Sequence, residues 1–298
     1  MRRSAPVIVK GSQDTQKRHG KDSRETLPAD PARRRALRTL AWAVAGSLVA
    51  AGRPLEAAAG RRPLWERIDA ARKRLDGAVP KEGGIRLDLP GVTQDGSAVP
   101  LTVDVDHPME DDDFVEALYL FAAGNPTPEV ADVYFTPLAG RARLSTRIRL
   151  NESQTVLALA RTSRGEWLAG RREVRVTVSG CLSRDNRSDS DSLMRTRIRV
   201  SDRLRRGEIG DVRTLVDHPM ETGLREDGEG GIIPERIVNE FRAEFNGEPV
   251  LRVRLYRAVS ANPYLRFAIA PNESGQAVFH WNEDRGESAT ESTRIDVI

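Results

Sequence analysis

The sequence contains a single cysteine, Cys181, in 298 residues, so no disulfide can form within the chain and a small disulfide-stapled fold is excluded. Aromatic residues make up only 5%; the interior must be largely aliphatic, and the base-stacking platforms of a nucleic-acid binder are missing. Histidine is scarce, with four residues, and no Cys or His pair has the spacing of a zinc site. The acidic runs Glu110 to Asp113 and Glu226 to Glu229 lack the alternation of a calcium loop and read as solvated turns. There is no phosphate-cradling Gly loop, nucleophile elbow, or kinase or dehydrogenase fingerprint. The sequence therefore predicts neither a metal nor a cofactor.

What is present fits a globular chain of about two ordinary domains, with 39% apolar and 31% charged residues. The net charge of +3 is unevenly placed: residues 1 to 60 hold 12 basic and 5 acidic side chains, leaving 35 basic and 39 acidic in the rest. The body is mildly acidic, and no nucleic-acid partner is expected.

The basic front has the layout of an export signal. Arg33-Arg34-Arg35-Ala36-Leu37-Arg38 precedes the uncharged stretch Leu40 to Ala51, then Arg53-Pro54 and Ala57-Ala58-Ala59. The apolar run is far short of the roughly 20 residues of a bilayer span. The arginine pair resembles a twin-arginine signal, with Ala32 and Ala36 where that signal prefers a hydroxyl residue and a Phe; a Sec signal or an amphipathic helix is the other reading. Residues 1–59 are thus expected to be a twin-arginine-like signal, cleaved after Ala59, that delivers a periplasmic protein with no membrane association after cleavage.

A short helical lead over 60–84 follows: Leu64, Ile68, Ala71 and Leu75 recur at helical spacing after Pro63, and Gly83-Gly84 is expected to end the helix. From Ile85 the period becomes two. Ala142, Leu144, Thr146, Ile148 and Leu150 alternate with Arg141, Arg143, Ser145, Arg147 and Arg149, predicting a strand with one buried and one wet face. Val174, Val176 and Val178 alternate in the same way and lead into Ser179-Gly180-Cys181. Phe241 to Phe245 and Leu251 to Leu255 alternate around Asn246-Gly247, a tight-hairpin signature. Short strands punctuated by Gly, Pro and Asn predict an all-β protein of two tandem immunoglobulin-like antiparallel sandwiches, a barrel being the alternative. The first spans 85–182, residues 183–193 read as a flexible linker, and the second spans 194–298.

The two units share letters. Val105-Asp106-His107-Pro108-Met109-Glu110 recurs as Val216-Asp217-His218-Pro219-Met220-Glu221, and Asn151-Glu152-Ser153 recurs as Asn272-Glu273-Ser274. The offsets, 111 and then 121, predict one duplicated fold with a ten-residue insertion in the second copy, around Arg225 to Gly231.

Cys181 is the candidate for chemistry. It follows the last alternating strand of the first unit, is preceded by the small carrier-arm residues Ser179 and Gly180 and opens onto a polar linker, so it is expected to be mobile and exposed. Arg184 is the only nearby cation in sequence, so nothing predicts a self-activated nucleophile; the thiol looks built to be acted upon. The bland reading is an inert buried cysteine. A Cys–His catalyst is disfavoured: His107 and His218 occupy equivalent places in a repeated turn, and His280, between Phe279 and Trp281, reads as a strand histidine.

With these features the chain resembles a fusion of the sulfur-oxidation carrier subunits SoxY and SoxZ. The first unit carries Gly124-Asn125-Pro126-Thr127-Pro128-Glu129-Val130, Phe135-Thr136-Pro137-Leu138 and the strand entering Gly180-Cys181. The second carries His218 to Arg225, Ile233-Pro234, Phe245-Asn246-Gly247 and Ala261-Asn262-Pro263-Tyr264. The resemblance implies a periplasmic carrier, not itself an enzyme. Its Cys181 thiol would receive thiosulfate-derived sulfur as a covalent adduct and present it to a c-type cytochrome complex (SoxAX), a sulfate-releasing hydrolase (SoxB) and a sulfane dehydrogenase (SoxCD). The second unit would pair with the first as scaffold. The arm departs from the family pattern Gly-Gly-Cys-Gly-Gly at a free C-terminus: Ser179 replaces a Gly, Leu182-Ser183 follow the Cys, and the chain continues. That departure keeps open a related carrier associated with a quinoprotein dehydrogenase, and, from another class, a binding or assembly module in which Cys181 only joins two copies.

Overall fold

A computed structural model describes residues 62–177 and 193–298. The expected leader 1–59, the residues Ser179, Gly180 and Cys181, and almost all of the linker lie outside the described residues.

The lead forms two short helices, α1 (Leu64–Arg67) and α2 (Asp69–Leu75), broken at Ile68, whose backbone is extended. Helix α2 ends earlier than the sequence predicts. Asp76 (φ 46) and Gly77 (φ 86) take the left-handed conformation, the Asp76 N–H closes on the Arg72 carbonyl, and Gly83-Gly84 instead separate two strands.

The first unit contains β1 (Lys81–Glu82), β2 (Ile85–Asp88), β3 (Val92–Thr93), β4 (Val99–Val105), β5 (Met109–Glu110), β6 (Asp113–Ala122), β7 (Glu129–Phe135), β8 (Arg143–Ile148), β9 (Gln154–Thr162) and β10 (Trp167–Val176). The second contains β11 (Thr196–Val200), β12 (Arg203–Leu204), β13 (Gly210–Val216), β14 (Val238–Phe245), β15 (Glu248–Leu255), β16 (Tyr264–Ile269), β17 (Gly275–Glu283) and β18 (Ser288–Val297). The all-β sandwich expectation holds, and the duplication is exact in places. Strand β13 lies 111 positions after β4, while β16, β17 and β18 lie 121 positions after β8, β9 and β10. The ten extra residues fall between β13 and β14, where bridges Glu221↔Arg236 and Glu226↔Ile232 close an added excursion.

Two sheets stack, and both run through both units. The large sheet has the order β1-β10-β9-β6-β7-β15-β14-β17-β18-β12 and the small one β11-β13-β16-β8-β4-β2. At the seam each strand meets its own counterpart antiparallel: β7 pairs β15 through Val133↔Val253, and β8 pairs β16 through Ser145↔Arg266. Equivalent strands meeting this way form a pseudo-two-fold, isologous junction. One apolar core fills the space between the sheets in both units, from Leu101, Leu118 and Leu144 to Phe241, Phe267, Phe279 and Trp281.

A second cluster lies on the outer face of the large sheet, where Leu64, Trp65, Ile68, Ala71 and Leu75 cover Ala117, Tyr119, Phe121, Leu157, Leu159 and Ala169. This cover explains why β6 is buried on both faces and reads as a near-continuous apolar run. The Asn246-Gly247 hairpin forms as expected, with φ of 52 and 85. The strand predicted over Arg141 to Leu150 is shorter, Arg143–Ile148, and its second face is not wet throughout: Ser145 and Arg149 are buried. The cause is the seam, because β8 is an interior strand once β16 pairs with it.

At the seam Gly140 has φ 64, and a Cβ placed there would stand 2.5 Å from the Cβ of Ala270. Gly140→Ala is expected to cost about 2 kcal/mol in urea unfolding. Adding Ala270→Gly should recover the steric part and leave the conformational part; a neutral Gly140→Ala would refute the close approach.

Candidate functional site

The strand that leads to Cys181 is fastened on both sides up to its last described residue. On one side β10 pairs antiparallel with β9, Val174 opposite Gln154. On the other, β3 runs parallel to it: the Arg175 N–H donates to the Gly91 carbonyl at 2.9 Å and the Thr177 N–H to the Thr93 carbonyl at 3.0 Å. The Ser153 hydroxyl accepts from the Val176 N–H at 3.0 Å and donates to the Val176 carbonyl at 3.4 Å.

The second unit repeats this clamp atom for atom. Ser274 accepts from the Val297 N–H at 2.8 Å and donates to the Val297 carbonyl, and the Ile298 N–H donates to the Leu204 carbonyl at 2.9 Å. The repeated Asn-Glu-Ser therefore closes the last strand of each unit. Thr177 in the first unit and Ile298 in the second hold equivalent places, and in the first unit the chain goes on to Cys181. Sequence reading found the repeat but not this role for Ser153 and Ser274. Cys181, Ser179 and Gly180 themselves lie beyond the described residues.

The repeated His-Pro-Met letters take two conformations in two environments: Met109 continues into β5, whereas Met220 has φ 50. The His107 Nε2 meets Asp113 Oδ1 at 2.8 Å, half-buried, at the end of the large sheet opposite the Thr177 clamp, since Val115 pairs Thr162 at the far end of β9. His218 is fully buried: its Nδ1 accepts the Met220 N–H at 3.0 Å and its Nε2 donates to Glu283 Oε1 at 3.0 Å. Glu283 also receives Arg236. Burial pushes the His218 imidazole below its ordinary value, more strongly than the Glu283 carboxylate raises it. Burial alone would raise the Glu283 carboxyl, but hydrogen bonds from His218 and Arg236 together hold it below the usual range. His280 lies on β17 with Nδ1 3.1 Å from the Thr290 hydroxyl. Each of the three is thus engaged by a partner within its own surroundings. Among the described residues no group of three His, Asp or Glu could hold a metal, and no helix is long and apolar enough to cross a membrane.

Two polar ties join the second unit to the first across the seam. The buried Asp132 of β7 accepts from Arg74 of α2 at 2.5 Å and from the Tyr256 hydroxyl at 2.8 Å, joining lead, first unit and second unit at one carboxylate. Burial, then the nearby Asp132 charge, pushes the Tyr256 phenol up to about 12, so it remains a donor. The second tie is Arg149, four residues before Ser153. Its Nη1 donates to the carbonyls of Met220 (2.6 Å) and Arg257 (3.2 Å) and its Nη2 to that of Pro219 (3.2 Å). The backbone bonds beside it obey the two-fold, Arg149 N–H to Ala258 and Ala270 N–H to Leu138, yet Ala270 replaces the arginine in the other half. Arg149→Met should cost about 2–3 kcal/mol, because buried carbonyls lose their donors. Urea midpoints at unchanged slope would measure this, and a change under about 0.5 kcal/mol would sink it.

Comparison with known proteins matches the family "Sulfur oxidation protein SoxY" over residues 72–181 and the family "Sulphur oxidation protein SoxZ" over residues 198–294. No curated protein matches the chain. Among solved structures, the sulfur carrier protein SoxY of Chlorobium limicola f thiosulfatophilum is 23% identical, over 37% of this chain and 90% of that one, at a TM-score of 0.32. A superoxide reductase (neelaredoxin) of Ignicoccus hospitalis is 19% identical, over 32% of this chain and 80% of that one, at 0.28. The two family matches, in tandem over most of the described body, show that the chain belongs to the sulfur-oxidation carrier proteins, with a SoxY domain followed by a SoxZ domain in a single polypeptide.

Proposed function

We propose that this Sox carrier works in the periplasm and holds thiosulfate-derived sulfur covalently on Cys181, the two units acting as handle and clamp for the arm. The observation that carries the reading is the Thr177 anchor. Strand β10 is fixed by β9, β3 and Ser153 up to that residue, and Cys181 follows four residues later, within about 14 Å of chain. A rigid root with a short reach suits a thiol that is inserted into other proteins' active sites.

Loading is an oxidation. The thiol and thiosulfate join through a new S–S bond to give Cys181–S–S–SO3−, releasing one proton and two electrons, which a c-type cytochrome partner accepts. Hydrolysis of the S–SO3 bond by a metal-dependent partner then consumes water and releases sulfate, leaving a persulfide on Cys181. The chain contributes the thiol and its presentation, not the redox or hydrolytic groups. This division agrees with the carrier and adaptor character of the two families and with three described histidines that are each held by another partner. Residues 1–59, read as an export signal, support the periplasmic setting.

The test is an intact mass of the mature protein after exposure to thiosulfate and periplasmic extract of the source organism, with and without reductant, followed by peptide mapping. The expected result is one S2O3 unit on the Cys181 peptide, labile to reductant. An unmodified Cys181, or one found only as a disulfide between two copies, would overturn the carrier reading in favour of an assembly module.

A further inference from the structure

The outer face of the small sheet carries far more positive charge than its carboxylates can balance. Strand pairing sets Arg199, Arg213, Arg266, Ser145, Thr102 and Asp88 side by side in one row across all six strands. Three arginines are thus consecutive, in the cross-strand arrangement where like charges repel. One carboxylate serves two of them: Asp211 accepts from Arg213 Nε at 2.7 Å and from Arg266 Nε at 2.6 Å, one on each oxygen. Arg199 is exposed. Beside this row, Arg147 donates to the Asn262 carbonyl at 3.0 Å and lies over the Tyr264 ring at 5.8 Å. Its Nε is buried without a hydrogen-bond partner, and no carboxylate ion pair is formed by it among the described residues.

The row and Arg147 border a recess on the seam. Its wall is largely apolar, made by Leu89, Pro90, Pro100, Leu215 and Tyr264, and its polar rim sets the two cations Arg147 and Arg266 against one carboxylate, Asp88. A small number of convergent polar groups in an apolar hollow is the usual form of a recognition site. The place is informative too. Leu89 and Pro90 lead directly from β2 into β3, the strand that fastens Thr177, so an occupant of the recess touches the segment that runs into that fastening.

We propose that this face docks an acidic segment of a partner protein that also carries an apolar anchor for the recess. The charge decides the sign of the partner, and its concentration on a body that is mildly acidic as a whole favours a steered encounter. A second copy meeting through the same face would oppose arginines to arginines. Nucleic acid would find one aromatic ring, Tyr264, and three interleaved aspartates, Asp88, Asp104 and Asp211. That the partner is one that loads or discharges Cys181 rests on the carrier reading; the docking surface itself does not.

The experiment titrates isotope-labelled mature protein with the blocked peptide Asp-Glu-Leu-Glu-Asp and follows backbone amides by NMR. Shifts confined to the small sheet, β2, β4, β8, β11, β13 and β16 with the adjoining Leu89, are expected, with affinity about tenfold weaker at high salt than at low salt. Arg199→Glu, at an exposed position, should weaken binding about fivefold and Arg147→Glu more, while Arg242→Glu on the large sheet changes nothing. The proposal is overturned by equal binding of a Lys-Lys-Leu-Lys-Lys peptide, by shifts mapping to other strands, by indifference to Arg199→Glu, or by tighter binding of a twelve-nucleotide thymidine strand. Peptide binding together with an unloaded Cys181 would leave the surface standing and remove the carrier reading.

Discussion

Replacing Cys181 by Ser is expected to abolish sulfur loading outright while leaving the fold intact. A serine hydroxyl forms neither a thiolate nor an S–S bond, so no residual adduct chemistry is available. No other cysteine exists in the chain to substitute for it. Thermal stability should not change, since the described contacts that fasten β10 involve backbone groups and Ser153. In a reconstituted system, thiosulfate-dependent cytochrome reduction should fall to the level seen without the protein. Persistence of that reduction with Cys181→Ser would reject the thiol as the point of attachment, whatever the families suggest.

The second large effect is expected at Glu283. Its side chain is fully buried and its Oε1 receives both His218 and Arg236. Glu283→Ala would leave the buried His218 N–H without its acceptor and strip Arg236 of its buried carboxylate, Glu287 alone remaining to it, a loss that ordinarily costs about 3 kcal/mol or more. For a body of this size that corresponds to a melting point lower by on the order of 10 °C. The same cluster gives wild-type stability a definite pH dependence. An unfolded His218 takes up a proton as pH falls through 6.5, its ordinary value, whereas the buried ring does so only lower down. In that window the unfolded chain holds more protons, so acidification destabilises the fold. Glu283 acts in the same direction further down, because its folded carboxyl titrates below its ordinary 4.5. Denaturant midpoints from pH 8 towards pH 4 should therefore fall in the wild type, and His218→Gln should remove the upper part of the slope. A flat wild-type profile would contradict the buried placement of both groups.

Much of this architecture was legible as letters before it was visible as structure. The exact recurrence of Val-Asp-His-Pro-Met-Glu and Asn-Glu-Ser, with their two offsets, locates β4 against β13 and β9 against β17 and assigns the insertion to its correct place. Alternation located β8, β14 and β15, because a half-buried strand writes its two faces into every second residue. Environment was not legible. His107 and His218 have the same neighbours in sequence, yet one is half-buried against Asp113 and the other sealed against Glu283, since the partners come from other strands. Arg149 reads as the solvated member of an alternating pair, and only the seam turns it inward. The break of the lead at Ile68 was not legible either, since Leu64, Ile68, Ala71 and Leu75 have the spacing of one unbroken helix face and all reach the sheet.

The seam has a consequence for how the halves can exist at all. Each of β7, β8, β15 and β16 completes its hydrogen bonding across it, so parting the units would bare four raw strand edges, the templates on which chains stack into aggregates. Joining the halves in one polypeptide synthesises each edge together with its cover, in fixed one-to-one ratio and at an effective concentration in the millimolar range for a short connection. Dilution cannot separate them, and neither half waits for a partner to be made.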